Sequence, residues 1–140
     1  MATKQDHINQ WKHNRAFAAS IEIPFHDWVI TSIFYTAVHA VDTLLAHDKI
    51  TVTSHDGRNQ ALMRTNRYEF INQKYQPLYS QSRSIRYLAS PGTWVPADQI
   101  QKHVFRRYLY PIENSVQKLI GQDLELKDLQ LKFDRVEPSK

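Results

Sequence analysis

Apolar positions return at helical spacing along most of this chain. The clearest run is Ile30, Ile33, Phe34, Ala37, Val38, Val41, Leu44 and Leu45, which keeps the 3.6-residue period. A stripe this wide predicts a central core helix ending near Ala46 or His47. Ahead of it, Ile8, Trp11, Phe17 and Ala18 predict a first helix over 5–20. Pro24 disfavours helix at Ile23 and suits the first turn of the next one. Residues 48–53 are short and β-branched and read as a loop.

Ser54 is a suitable N-cap for a third helix, with Asp56 favourable in its first turn and Ala61, Leu62 and Met63 on its apolar side. A fourth helix is predicted from about Arg67 to Leu88, lined by Phe70, Ile71, Tyr75, Leu78, Tyr79, Ser82, Ile85 and Tyr87. Pro77 inside it should produce a kink or a break. Ser90-Pro91-Gly92 reads as a turn. A last helix begins at Pro96 or Ala97, with Ile100, Val104, Phe105, Tyr108 and Leu109 facing the core. Pro111 should kink or split it, and Gly121 is its C-terminal stop. From Gln122 the pattern changes to period two, in Leu124-Glu125-Leu126 and Leu129 to Phe133, which predicts an extended arm or short strand. The expected fold is therefore all-α: a four- to five-helix up-and-down bundle over 1–121, with a C-terminal arm over 122–140.

Composition narrows the chemistry. The chain has 140 residues, enough for one domain with a proper core. Hydrophobic residues at 41% and charged residues at 23% belong to a folded globular protein. Only three Gly are present, which excludes a Gly-rich phosphate loop. The absence of Cys excludes disulfides, thiolate metal sites and a Cys nucleophile. The first residues lead into no apolar core, so a secretory signal is not expected. The apolar stretch from Trp28 to Ala46 is interrupted by Thr31, Ser32, Thr36, His39 and Asp42, too polar for a membrane span. A cytoplasmic protein with no membrane partner is the expectation.

The net charge of +4 is unevenly spread. Residues 54–110 hold nine basic groups against three acidic ones, a net of +6, and seven of the nine are Arg. Arg binds phosphate with a planar fork. A phosphate-bearing partner follows from this, although a solvated surface with ordinary ion pairs gives the same pattern.

The segment Phe34-Tyr35-Thr36-Ala37-Val38-His39-Ala40-Val41-Asp42-Thr43-Leu44-Leu45-Ala46 resembles the core helix of HEPN-domain proteins. Ser54-His55-Asp56-Gly57-Arg58-Asn59 and Tyr79-Ser80-Gln81-Ser82-Arg83-Ser84-Ile85-Arg86-Tyr87 are similar to junctions in some bacterial members. The resemblance spans roughly residues 24–120. It implies a helical bundle, usually a homodimer, among proteins that include metal-independent RNases of toxin–antitoxin and defence systems and non-catalytic binders of nucleotide or RNA. Catalytic members share an Arg, four to six arbitrary residues and then a His. None of the nine Arg residues here has a His at that spacing.

Three polar constellations remain. His55 and Arg58 share one face of the third helix at its N-terminus, beside the Ser54 cap, where backbone N–H groups favour an anion. For RNA cleavage a His could move the 2′-OH proton and an Arg could stabilise the phosphoryl charge. Helix capping by Ser54, with His55 and Arg58 in solvent or paired with an acid, explains the same residues. Tyr35, His39 and Asp42 follow along one flank of the core helix. They could support His55 and Arg58 from across the bundle or form a structural hydrogen-bond network. His103, Arg106 and Arg107, with Tyr108 and Tyr110 near, suit RNA through stacking and phosphate contacts, as do Arg83 and Arg86 with Tyr87. A basic exposed face beside core tyrosines is the plainer account. No metal site or cofactor is expected: His26 and Asp27, or His47 and Asp48, are adjacent and cannot share an ion from a regular helix. No His-Glu-x-x-His, EF-hand or nucleophile-elbow pattern occurs.

The expected function is a HEPN-like, non-catalytic module for RNA, nucleotide or a protein partner. The alternatives are a divergent metal-independent endoribonuclease using His55 or His39 with Arg58, and a dimerisation or interaction module using the 124–133 arm.

Overall fold

The structure, a computed structural model, describes residues 2–21, 26–88 and 99–131, with backbone alone at 26–27 and 85–88. The break at Pro24, the turn at Ser90, the start at Pro96 or Ala97 and the arm beyond Leu131 lie outside the described residues. The chain is an all-α bundle: α1 (Lys4–Ser20), α2 (His26–His47), α3 (His55–Met63), a 3-10 turn (Asn66–Tyr68), α4 (Glu69–Leu88), α5 (Ile100–Leu109) and α6 (Tyr110–Ile120). No strand occurs among the described residues.

Helix α1 starts at a capping box. Thr3 Oγ1 accepts the Asp6 N–H at 3.1 Å, and the Thr3 N–H donates to Asp6 Oδ2 at 2.9 Å. Its buried face is Ile8, Trp11, Arg15 and Ala18, a regular helical stripe. Phe17, expected in the core, is 51% exposed. Arg15 occupies the face instead because a partner waits there. Its Nε donates to Glu113 Oε2 at 2.9 Å, and the Trp11 indole N–H donates to the same oxygen at 2.7 Å. Glu113 is 1% exposed, and burial raises its pKa against the pull of Arg15.

Helix α2 is the core helix the periodicity predicts: α1, α4, α5 and α6 all pack on it. Its polar residues are absorbed locally. Thr36 and Thr43 donate to the carbonyls of Ser32 and His39, four residues back. Trp28–His47 is long and apolar enough to cross a membrane, but 83% of that window is buried inside the bundle. The helix ends with Lys49 at φ 63, where the Lys49 and Ile50 N–H groups return to Ala46 and Leu45. This is a Schellman end without its usual Gly. Asp48 is held beside it by Arg67 Nε at 2.8 Å, Arg67 Nη2 at 2.9 Å and the Tyr68 hydroxyl. Arg67 and Tyr68 of this clip both belong to the 3-10 turn Asn66–Tyr68, and the fourth helix follows it at Glu69.

Pro77 does not break α4, which runs from Glu69 to Leu88. Pro77 and Gln73 are both exposed, so the Gln73 carbonyl that lacks its N–H partner faces water. Phe70 and Met63, expected on apolar faces, are also exposed.

Helix α5 departs furthest from expectation. It is a π-helix, in which the Tyr110 N–H bonds to the Phe105 carbonyl five residues back. The wider turn buries Ile100, Gln101, Val104, Phe105 and Leu109. Ile100, Val104, Phe105 and Leu109 are the expected core positions; polar Gln101 joins them, and Tyr108, expected with them, is only partly buried against the core. Pro111 then sits in the first turn of α6, at the junction where the π-helix passes into the α-helix. Gly121 closes α6 in the left-handed conformation at φ 67, with its own N–H on Lys118 and that of Gln122 on Gln117.

Residues 122–131 form no strand; Glu125 at φ 55 interrupts the extended path. Leu124, Leu129 and Leu131 are nevertheless buried in the bundle core. Buried Gln101 fastens the segment, donating to the Leu129 carbonyl at 2.6 Å and accepting the Leu131 N–H at 3.2 Å.

Candidate functional site

Asp42 on α2 and Arg58 on α3 meet inside the bundle. Ser54 Oγ accepts the Gly57 N–H at 3.0 Å, which fixes the first turn of α3. One turn on, Arg58 points inward and is 6% exposed. Its Nε and Nη2 donate to Asp42 Oδ1 and Oδ2 at 2.7 and 2.9 Å, a two-pronged pair. Its Nη1 lies 3.2 Å from His55 Nδ1. Burial opposes the Arg58 charge, but hydrogen bonding and attraction from Asp42 outweigh it and raise its pKa. Tyr75 of α4 borders the pair; burial pushes its hydroxyl well above the ordinary phenol range, against the pull of Arg58.

His55 sits among aromatic rings, with centroid distances of 5.7 Å to Phe34, 5.8 Å to Tyr79 and 6.2 Å to Tyr35. His39, half-buried on α2, has its Nδ1 3.2 Å from Nδ1 of His7 on α1. Burial lowers the His39 pKa, Asp42 opposes that, and His7 and Arg58 add to it. The neutral imidazole therefore prevails at neutral pH. A cavity of about 700 Å³ opens over His7 and Asp42, bounded by Thr3, Lys49, Thr51 and Thr53.

The structure thus brings Asp42, His55 and Arg58 into one cluster, with Tyr35 and His39 at its edges. Ser54 is engaged as a cap. Arg83 is exposed on α4, and the side chain of Arg86 lies outside the described residues. On α5, His103 is half-buried while Lys102, Arg106 and Arg107 are exposed. The Arg107 guanidinium lies 5.5 Å over the Tyr108 ring. Sequence reasoning missed His7, Tyr75 and Tyr79. A signal for His7 existed: it stands one turn before Trp11, at the edge of the α1 stripe. Among known proteins, no family model, curated sequence or solved structure matches the chain.

Arg58 has committed its fork to Asp42, so it is a buried counter-charge and not an open phosphate ligand. Exposed Lys102, Arg106 and Arg107 on α5, like Arg83 on α4, are open to a large anion.

Proposed function

We propose that the chain is a HEPN-like helical module that binds single-stranded RNA or a nucleotide through α5 and does not cleave it. The observation that carries this reading is the exposed trio Lys102, Arg106 and Arg107, with Arg107 stacked over Tyr108. The wide turn of α5 supports it, because residues four and five apart then share a side. An Arg laid on an aromatic ring offers a base a stacking platform and a phosphate a charged donor. The burial of Arg58 against Asp42 speaks against its use in cleavage, as does the missing Arg-to-His spacing. The resemblance adds a homodimer, which would double the basic surface.

The test is fluorescence anisotropy with short labelled single-stranded RNA in excess chelator, at several salt concentrations. The wild type is expected to bind with an affinity that falls steeply with salt. Replacing Arg106 and Arg107 together with Ala should weaken binding about tenfold or more and flatten that salt dependence. Equal affinity in the double variant, or RNA recovered cut on a denaturing gel, would overturn the reading.

A further inference from the structure

Two helices aim three metal-ligating atoms at one point beside the cavity. His7 comes from α1, and His39 and Asp42 come from α2. One donor atom from each lies within 4.8 Å of the others. His39 and Asp42 are three residues apart, a spacing by which helical bundles direct two ligands at the same interior position. The two Nδ1 atoms are 3.2 Å apart. Two imidazole nitrogens that each bind one ion at about 2.0–2.1 Å are about 3 Å apart. The pair is therefore already at ligand separation.

The surroundings favour an ion. Asp42 has one lone pair on each oxygen engaged by Arg58, at 2.7 and 2.9 Å, and keeps capacity for a further partner. Arg58 acts on the carboxylate as outer-shell partners of metal ligands do, by fixing its plane. The cavity reaches both His7 and Asp42, leaving a route in from solvent and room for water. Two imidazoles and one carboxylate suit a borderline transition ion and not magnesium or calcium, which prefer all-oxygen shells.

We propose that His7, His39 and Asp42 bind one divalent transition ion, zinc foremost, with its remaining coordination positions open to the cavity. Three protein ligands and an open position form the arrangement found where a bound metal meets water or substrate. The site is independent of the α5 surface.

The experiment uses the full chain, free of any affinity tag. Zinc is titrated by calorimetry, cobalt by visible absorption, and imidazole resonances are followed by NMR. One zinc per chain is expected, with visible cobalt bands and shifts of the His7 and His39 ring signals. Those of exposed His13 and His47 should stay unmoved. His7→Ala and His39→Ala should each weaken zinc binding at least about tenfold and abolish the cobalt bands, with helical circular dichroism retained. His13→Ala should change neither. The NMR arm needs no variant, so it decides the matter even if a substitution unfolds the protein. Zinc that leaves both ring signals in place, or binds the His7→Ala/His39→Ala double variant as tightly as wild type, would reduce the contact to a histidine–histidine hydrogen bond and overturn the proposal.

Discussion

At the scale of single residues, two buried ion pairs dominate. Removing one partner of such a pair leaves an uncompensated charge where water cannot reach it. Arg58→Ala is therefore expected to cost about 3–5 kcal/mol of stability, measured by urea unfolding, by stranding Asp42. A loss of any activity in that variant would report unfolding before it reported chemistry. Asp48 makes a different prediction. Burial works to raise its pKa, but hydrogen bonds from Arg67 and Tyr68 prevail and lower it. A depressed carboxylate contributes stability that is complete above the unfolded value near about 3.9 and vanishes as pH falls through the folded one. The gap in unfolding free energy between wild type and Asp48→Asn should thus close below about pH 4. An unchanged gap down to pH 2 would mean the clip carries no pH-linked stability. The partners in these pairs are 16 residues apart for Asp42 and Arg58, and 98 for Arg15 and Glu113. The i, i+4 and i, i+3 patterns by which a sequence discloses charge pairs do not extend that far. Neither the Arg15–Glu113 pair nor the approach of His7 to His39 is therefore visible in the sequence.

At the scale of elements, the legible features were those governed by local chemistry. The wide apolar stripe of α2, the Ser54 cap and the Gly121 stop each follow from residues within one or two turns. Ser54→Ala is expected to lose about 1 kcal/mol in thermal or urea unfolding while leaving RNA affinity unchanged, since its hydroxyl already accepts the Gly57 N–H. Weaker RNA binding without lost stability would show the hydroxyl serving a ligand instead. The π-helical α5 was illegible because a search at 3.6 residues per turn cannot register a wider one. Its apolar core positions were legible all the same; buried Gln101 was not, because its side chain is polar. Of the two outcomes Pro77 allowed, a kink or a break, the continuous helix Glu69–Leu88 removes the break.

At the scale of the whole molecule, the bundle is not closed by its helices alone. Leu124, Leu129 and Leu131 fill core positions, and Gln101 ties their backbone to α5. Ending the chain after Gly121 should remove several kcal/mol, given about 1.5–3 kcal/mol for each fully buried leucine. The expected sign is a lowered melting temperature with exposed apolar surface that binds a hydrophobic dye. A truncated chain as stable as the full one would make the segment a dispensable appendage.

That clasp also orders events at the ribosome. Synthesis delivers residues 1–121 before the three leucines that seal them, so the emerging helices must wait with part of their apolar interior uncovered. Cooperative closure belongs to the moment the last of these leucines clears the exit tunnel. Until then the nascent chain is a natural client for chaperones that hold apolar segments.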